Sequence, residues 1–347
     1  MEMFWFWSVA VVMALYAILD GFDFGAGILH LFVARTDAER RQVLAAIGPW
    51  WDGNEVWLLA GGGVLFLAFP KVLAASFSGF YLAMFLVIWC LLLRGISIEF
   101  RSHLGDGLWR AFWDGVFALA SAFMPVLLGA ALGNVVRGVP LDGSGFFNIP
   151  LFTHWDVQNP VGILDWYTVL MGLFVLAALA CHGALYLAWK TDGPVRHRSR
   201  TAALRLWTAV VGLALAATIA TARVNPDLYA RLPHAPLAWV GLALYVGGLG
   251  VALAGLRLER DLLAFAGSSA FILGILVATA ACVWPVMLRS TLDPRFSLDA
   301  LNASAGPYAL RAGMRWWIVA FVLALGYFAF LGRVHRGKVQ AGDYGHE

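Results

Sequence analysis

Nine stretches of this chain, residues 4–33, 49–69, 77–98, 111–132, 164–188, 201–222, 236–256, 262–286 and 315–331, are mainly apolar. Most run to about 20 residues, the length an α-helix needs to cross the hydrocarbon of a bilayer. A chain with so many such stretches cannot bury them all against itself, so lipid must be part of its solvent. Its charge content agrees, since 13% of residues are Asp, Glu, Lys or Arg against about 25% in a typical soluble domain. The expected fold is all-α: one polytopic membrane domain of about nine transmembrane helices. The first stretch is not expected to be a cleaved signal peptide, because Glu2 stands where a basic segment belongs and Asp20 and Asp23 follow the apolar run.

Basic residues set the orientation. If the segment after the first helix is cytoplasmic, the inner segments and tail hold most of the 24 Lys and Arg, including Arg35, Arg40, Arg41, Arg196, Arg198 and Arg200. That asymmetry predicts an outer N-terminus and a cytoplasmic C-terminus. The net charge of +3 is then a matter of membrane orientation, and no nucleic-acid partner is expected. A basic inner loop, 190–205, separates helices one to four (1–133) from helices five to eight (164–288), with a ninth at 313–333. The outer loop 133–163, rich in Gly, Pro and aromatics, is expected to be ordered. Tryptophans near helix ends, among them Trp5, Trp109 and Trp316, read as an interfacial belt.

Ionisable residues inside spanning helices are costly, and here they gather at one end. Asp20 lies about 24 Å along the first helix. Asp23 follows at i+3, on the same face. Asp52 and Glu55 open the second helix with the same spacing, Arg94 and Glu99 lie near the inner end of the third, and Asp114 lies near the start of the fourth. Asp52, Glu55 and Asp114 could serve as helix caps, and for Asp114 capping is the favoured reading. Arg94 could be a counter-charge. Capping cannot explain Asp20 and Asp23, which sit mid-helix, so the sharper reading is a chain of proton-exchanging groups open to the cytoplasm. Histidine gives little support for a metal or haem site: His182 alone lies deep in a predicted helix, and a packed, hydrogen-bonded role is favoured over ligation. Cys90, Cys181 and Cys282 lie within apolar helices without CxxC spacing and read as small hydrophobes. The run Gly61-Gly62-Gly63 reads as a close helix contact.

Four segments carry a resemblance. Asp20-Gly21-Phe22-Asp23-Phe24-Gly25, Trp51-Asp52-Gly53-Asn54-Glu55-Val56-Trp57-Leu58, Phe77-Ser78-Gly79-Phe80-Tyr81 and Arg94-Gly95-Ile96-Ser97-Ile98-Glu99-Phe100-Arg101 resemble subunit II of cytochrome bd quinol oxidases in content, order and spacing. The likeness is strongest over about residues 16–115. It implies two four-helix bundles plus one peripheral helix in the bacterial cytoplasmic membrane. It also implies pairing with a similar subunit I that holds haems b558, b595 and d and the loop that oxidises quinol. Small single-helix accessory subunits, lipid and quinone are further partners that the resemblance allows. By the same resemblance the proton route includes the positions of Asp23, Asp52 and Glu99, with Arg94 nearby, and oxygen entry passes Trp57. Asp20 joins that route on its position alone. Two other readings of the acids remain at this stage: a proton-coupled secondary transporter, and a structural subunit whose acids only cap and pair.

Overall fold

The structure, a computed structural model, describes residues 1–339; His346 and the rest of 340–347 lie outside the described residues. In chain order the helices are α1 (Glu2–Val33), α2 (Asp37–Ile47), α3 (Trp51–Ala68), α4 (Pro70–Gly79), α5 (Tyr81–Phe100), α6 (Gly107–Arg137), α7 (Trp166–Lys190), α8 (Gly193–Val224), α9 (Pro226–Arg231), α10 (Pro236–Arg257), α11 (Asp261–Val283) and α12 (Pro307–Val334). A two-stranded antiparallel ribbon, β1 (Val286–Leu288) and β2 (Leu298–Asp299), sits between α11 and α12. Among the described residues, α1, α5, α6, α7, α8, α10, α11 and α12 are long and apolar enough to cross a membrane. The predicted span 49–69 is α3, whose 18 residues are near the lower limit for crossing and whose first turns carry Asp52, Asn54 and Glu55.

Helix α1 is the hub. It packs on α3 and α6 to one side and on α7 and α11 to the other. Glycine makes the closest of these contacts possible, for a Cβ on Gly25 would stand 2.1 Å from the carbonyl oxygen of Leu179 in α7. Backbone therefore lies against backbone, the usual way membrane helices gain packing energy when lipid removes the hydrophobic incentive. Helices α10 and α11 use the same device in a stripe, Gly241, Gly248 and Gly255 facing Gly274, Gly267 and Ala264. The contacts of α1 with α3, α6, α7 and α11, and of α6 with α7, tie the spanning helices into one body, while α12 leans on α3 and buries only Leu310 among its own residues.

Several local expectations are corrected. The basic segment 190–205 is mostly helix: α8 starts at Gly193, with Pro194 in its first turn, and runs 32 residues, or about 48 Å, well beyond the hydrocarbon thickness. Its arginines ride on the projecting turns. The span predicted at 77–98 is α5, shifted to Tyr81–Phe100, and its first residues belong instead to the short preceding helix α4. Of the three consecutive glycines only Gly61 makes a contact, with Met13; Gly62 and Gly63 face no neighbour in the chain. Trp5 is not in an interfacial belt. It is fully buried in a second core at the α1 N-terminal end, where its indole N–H donates to the Leu310 carbonyl at 3.2 Å. That core is built by the tips of α1, α3 and α4 together with loop residues Phe147, Ile149 and Val161 and the ribbon residues Leu288 and Leu298. The predicted outer loop is thus ordered against the segment around the β ribbon.

Candidate functional site

Asp20 and Asp23 point from α1 toward α3 and α5, and both are completely buried. Their partners come from those two helices. Arg94 of α5, also fully buried, donates from Nη1 to Asp20 Oδ1 at 2.5 Å and from Nη2 to Glu55 of α3. Asn54 of α3 donates from Nδ2 to Asp23 Oδ2 at 2.7 Å and to the Leu19 carbonyl at 3.1 Å. The Arg94 guanidinium also lies 4.3 Å over the Phe24 ring, so it is fixed from several sides. Glu55, with its side chain 25% exposed, is where this cluster meets the surface of the chain.

One arginine here faces three carboxyl groups. Full ionisation would leave excess negative charge in the interior, which a proton held among the carboxyls relieves. The cluster is also short of hydrogen bonds: Tyr16 Oη, Asp20 Oδ2, Asp23 Oδ1, Asn54 Oδ1, Trp57 Nε1 and Arg94 Nε are all buried without a protein partner. Each such atom costs about 1–3 kcal/mol unless water satisfies it. A structural ion pair would carry no such burden; a place where protons change hands among carboxyls and water would.

Asp52 and Glu99 are not part of this cluster. Both side chains are exposed on the surface of the chain, Asp52 in the first turn of α3 and Glu99 at the end of α5. Trp57 is buried one turn beyond Asn54, with its ring 5.9 Å from Phe321 and 5.6 Å from Phe328 of α12. Capping is also reassigned. The N-cap of α3 is Trp50, without a side-chain hydrogen bond, and α6 is capped by Asp106, which accepts from the N–H groups of Leu108 and Trp109. Asp114 is not a cap.

Asp114 instead anchors a second network, which sequence reasoning missed. It takes His30 Nε2 at 2.6 Å, Arg101 Nε at 2.6 Å and Arg40 Nη1 at 2.8 Å, while Arg101 continues to Asp37 at 2.7 Å. Asp37 and Arg110 carry the network to the surface. A third group, at the other end of the molecule, pairs Arg137 with Asp165, the N-cap of α7, and Arg137 with Asn134 at 2.6 Å. His182 is hydrogen-bonded through both ring nitrogens, to Ser268 Oγ at 2.6 Å and to the Ile18 carbonyl at 3.0 Å, which bears out the packed role. His182 thus has both ring nitrogens occupied, whereas His30 is bonded through Nε2 alone. Among the described residues no group of three or more His, Cys, Asp or Glu side chains converges as a metal site would.

The fold and the buried ion cluster define a multi-pass helical membrane protein with an internal acid–arginine centre. Comparison with known proteins narrows the class. Residues 1–335 match the family described as cytochrome bd terminal oxidase subunit II, and the chain belongs to that family. It is 29% identical to the cytochrome bd-I ubiquinol oxidase subunit 2 of Escherichia coli K12, over 97% of this chain and 96% of that protein. It is 31% identical to the cytochrome bd ubiquinol oxidase subunit 2 of Bacillus subtilis 168, over 88% and 87%. The structure of bd oxidase from Geobacillus thermodenitrificans contains a chain of the same fold, with a TM-score of 0.76 at 19% identity, covering 96% of this chain and 98% of that one.

Proposed function

We propose that this chain is the haem-free subunit II of a cytochrome bd-type quinol oxidase in the bacterial cytoplasmic membrane. It supports a subunit I that holds haems b558, b595 and d and oxidises quinol, and it delivers protons from the cytoplasm for the reduction of oxygen to water. The observation that carries the reading is the Asp20–Arg94–Glu55 cluster with Asp23 beside it: buried, over-supplied with carboxyls and short of hydrogen-bond partners. Such a site exchanges protons; it has no redox group of its own. The haems supply the electron transfer when bound to the partner.

Asp52 and Glu99 fit the same reading from outside the cluster. Their exposure on α3 and α5 leaves them free to face subunit I, and passage from this chain to its partner needs acids at that boundary. Trp57, enclosed by α12 aromatics, lines the proposed oxygen entry. Protons drawn from the inside, against quinol protons released outside, separate charge across the membrane without a pump. This requires the N-out, C-in orientation that the basic residues predict.

The test uses the intact two-subunit oxidase. Asp23→Asn, Asp52→Asn and Glu99→Gln preserve shape but remove an exchangeable proton, so each should lower turnover per haem while haem content stays near wild type. Unchanged turnover per haem at every pH in all three variants would refute proton delivery. Substrate binding by the chain alone would favour a secondary transporter instead.

A further inference from the structure

Unpartnered polar atoms continue down α1 beyond the acid cluster. Tyr16, Asp20, Asp23, Gly27 and His30 follow one another at alternating spacings of four and three, so they share one face of the helix over about 21 Å. Tyr16 Oη, Asp20 Oδ2, Asp23 Oδ1 and His30 Nδ1 are each buried without a protein partner. At Gly27, where α1 has no side chain, the hydroxyl of Ser121 in α6 occupies the space: a Cβ there would stand 2.0 Å from Ser121 Oγ. Ser121 Oγ is itself buried and unpartnered. The face is therefore polar and unsatisfied at every turn, in a helix where the remaining faces are apolar. Phe117, with its ring 5.3 Å from that of His30, narrows the seam between His30 and Ser121.

We propose that this face of α1, closed by α3 and α6, is an internal water-filled seam that conducts protons from the His30–Asp114 network to the Asp20–Asp23 pair, with His30 and Ser121 as its exchange points. The proposal rests on the proton-delivery reading and gives it a second entrance, distinct from Asp52 and Glu99. The entrance reaches bulk water through Asp37 and Arg110, which are partly exposed. Buried polar atoms left without protein partners at successive turns are the groups that internal water satisfies. His30 is faced by Asp114 of α6, Arg40 of α2 and Arg101 at the end of α5. Asp114 holds the ring through Nε2, Arg40 and Arg101 in turn hold Asp114, and Nδ1 is left without a partner among the described residues. In each step a water gives a proton to one neighbour and takes one from the other, so one O–H or N–H bond forms as one breaks and nothing is oxidised.

The experiment compares Ser121→Val with Ser121→Thr in the intact oxidase, reconstituted in liposomes enclosing a pH-sensitive dye. The two side chains have the same shape, so packing damage against Gly27 is common to both and only the hydroxyl differs. The Val variant should take up protons roughly a hundredfold more slowly than the Thr variant at equal haem content, the low end of what a positioned proton-transfer group contributes. His30→Leu should likewise be slower than His30→Gln, and this pair decides alone if the Ser121 variants do not assemble. Equal rates within both pairs overturn the seam. If Asp52→Asn and Glu99→Gln are slow in that case, proton delivery stands and only the second entrance falls; if they too match wild type, both fall.

Discussion

Removing Arg94 should be the most damaging single change in the membrane interior. In Arg94→Met the chain keeps a side chain of similar length, but Asp20, at 0% exposure, loses its only charged partner among the described residues, and Glu55 loses its partner at 25% exposure of its side chain. Water can take over part of the loss at Glu55 and none of it at Asp20. Breaking a buried pair in this way costs about 3–5 kcal/mol, most of it the penalty of the charge left behind. At about 2.1 cal/mol/K per residue over 347 residues, the unfolding temperature falls by about 4–7 °C. The decisive measurement is a double-mutant cycle with Asp20→Asn, followed by tryptophan fluorescence on the detergent-solubilised oxidase, for which the chain's 16 tryptophans give ample signal. The double variant should recover about 1–3 kcal/mol relative to the sum of the single costs, because the uncompensated carboxylate is gone. Strict additivity, or an Arg94→Met protein as stable as wild type, would refute the pairing.

Three further outcomes are expected. Gly25→Val must part α1 from α7, since a Cβ already meets the Leu179 carbonyl at 2.1 Å; it should cost at least about 1–3 kcal/mol in thermal unfolding, whereas Gly247→Ala, with open space around it, should be neutral or slightly stabilising. Glu39 is held at a pKa of about 2, below its ordinary 4.5, chiefly by its hydrogen bonds from Arg198. Its folded-state pKa is depressed, so its contribution is fully present above pH 4.5 and lost as pH falls toward 2; the stability gap between wild type and Glu39→Gln should close over that window. A reporter joined after Arg336 should work only in the cytoplasm and one in the 138–165 loop only outside; the reverse pattern would overturn the orientation.

What the sequence revealed and concealed follows from where a charge is costly. Asp20 and Asp23 stood out because a mid-helix acid has no cheap explanation in lipid, and Arg94 stood out for the same reason. Asp114, Arg137 and Asp165 were misread or passed over because each lies near a helix end, where a cap or water accounts for a charge without a partner. Only the packing of α6 against α1, α5 and α7 shows that these three are paired in the interior. Tyr16 and Ser121 left no signal at all, and Asn54 appeared only inside a resembling segment, since neutral polar residues are common in spanning helices; they became visible as hydrogen-bond partners or as atoms lacking one. Helix ends failed in a regular way, too. The hydropathy of α8 drops at its basic turns although the helix continues, because leaving the lipid changes the residues that suit a helix without ending it.

The internal arrangement argues against a purely structural role for the acids. A pair kept for stability would be expected to balance its charges and satisfy its hydrogen bonds, as Arg137 does outside the cluster through Asp165, Asn134 and the Gly138 carbonyl. Around Asp20 neither condition holds: three carboxyls share one arginine, and six neighbouring polar atoms lack partners. Replacing such a group with well-packed apolar side chains is often neutral or stabilising. Folding stability alone thus gives little reason to keep it, whereas Arg137, at the other end of the molecule, shows a balanced pair in the same chain.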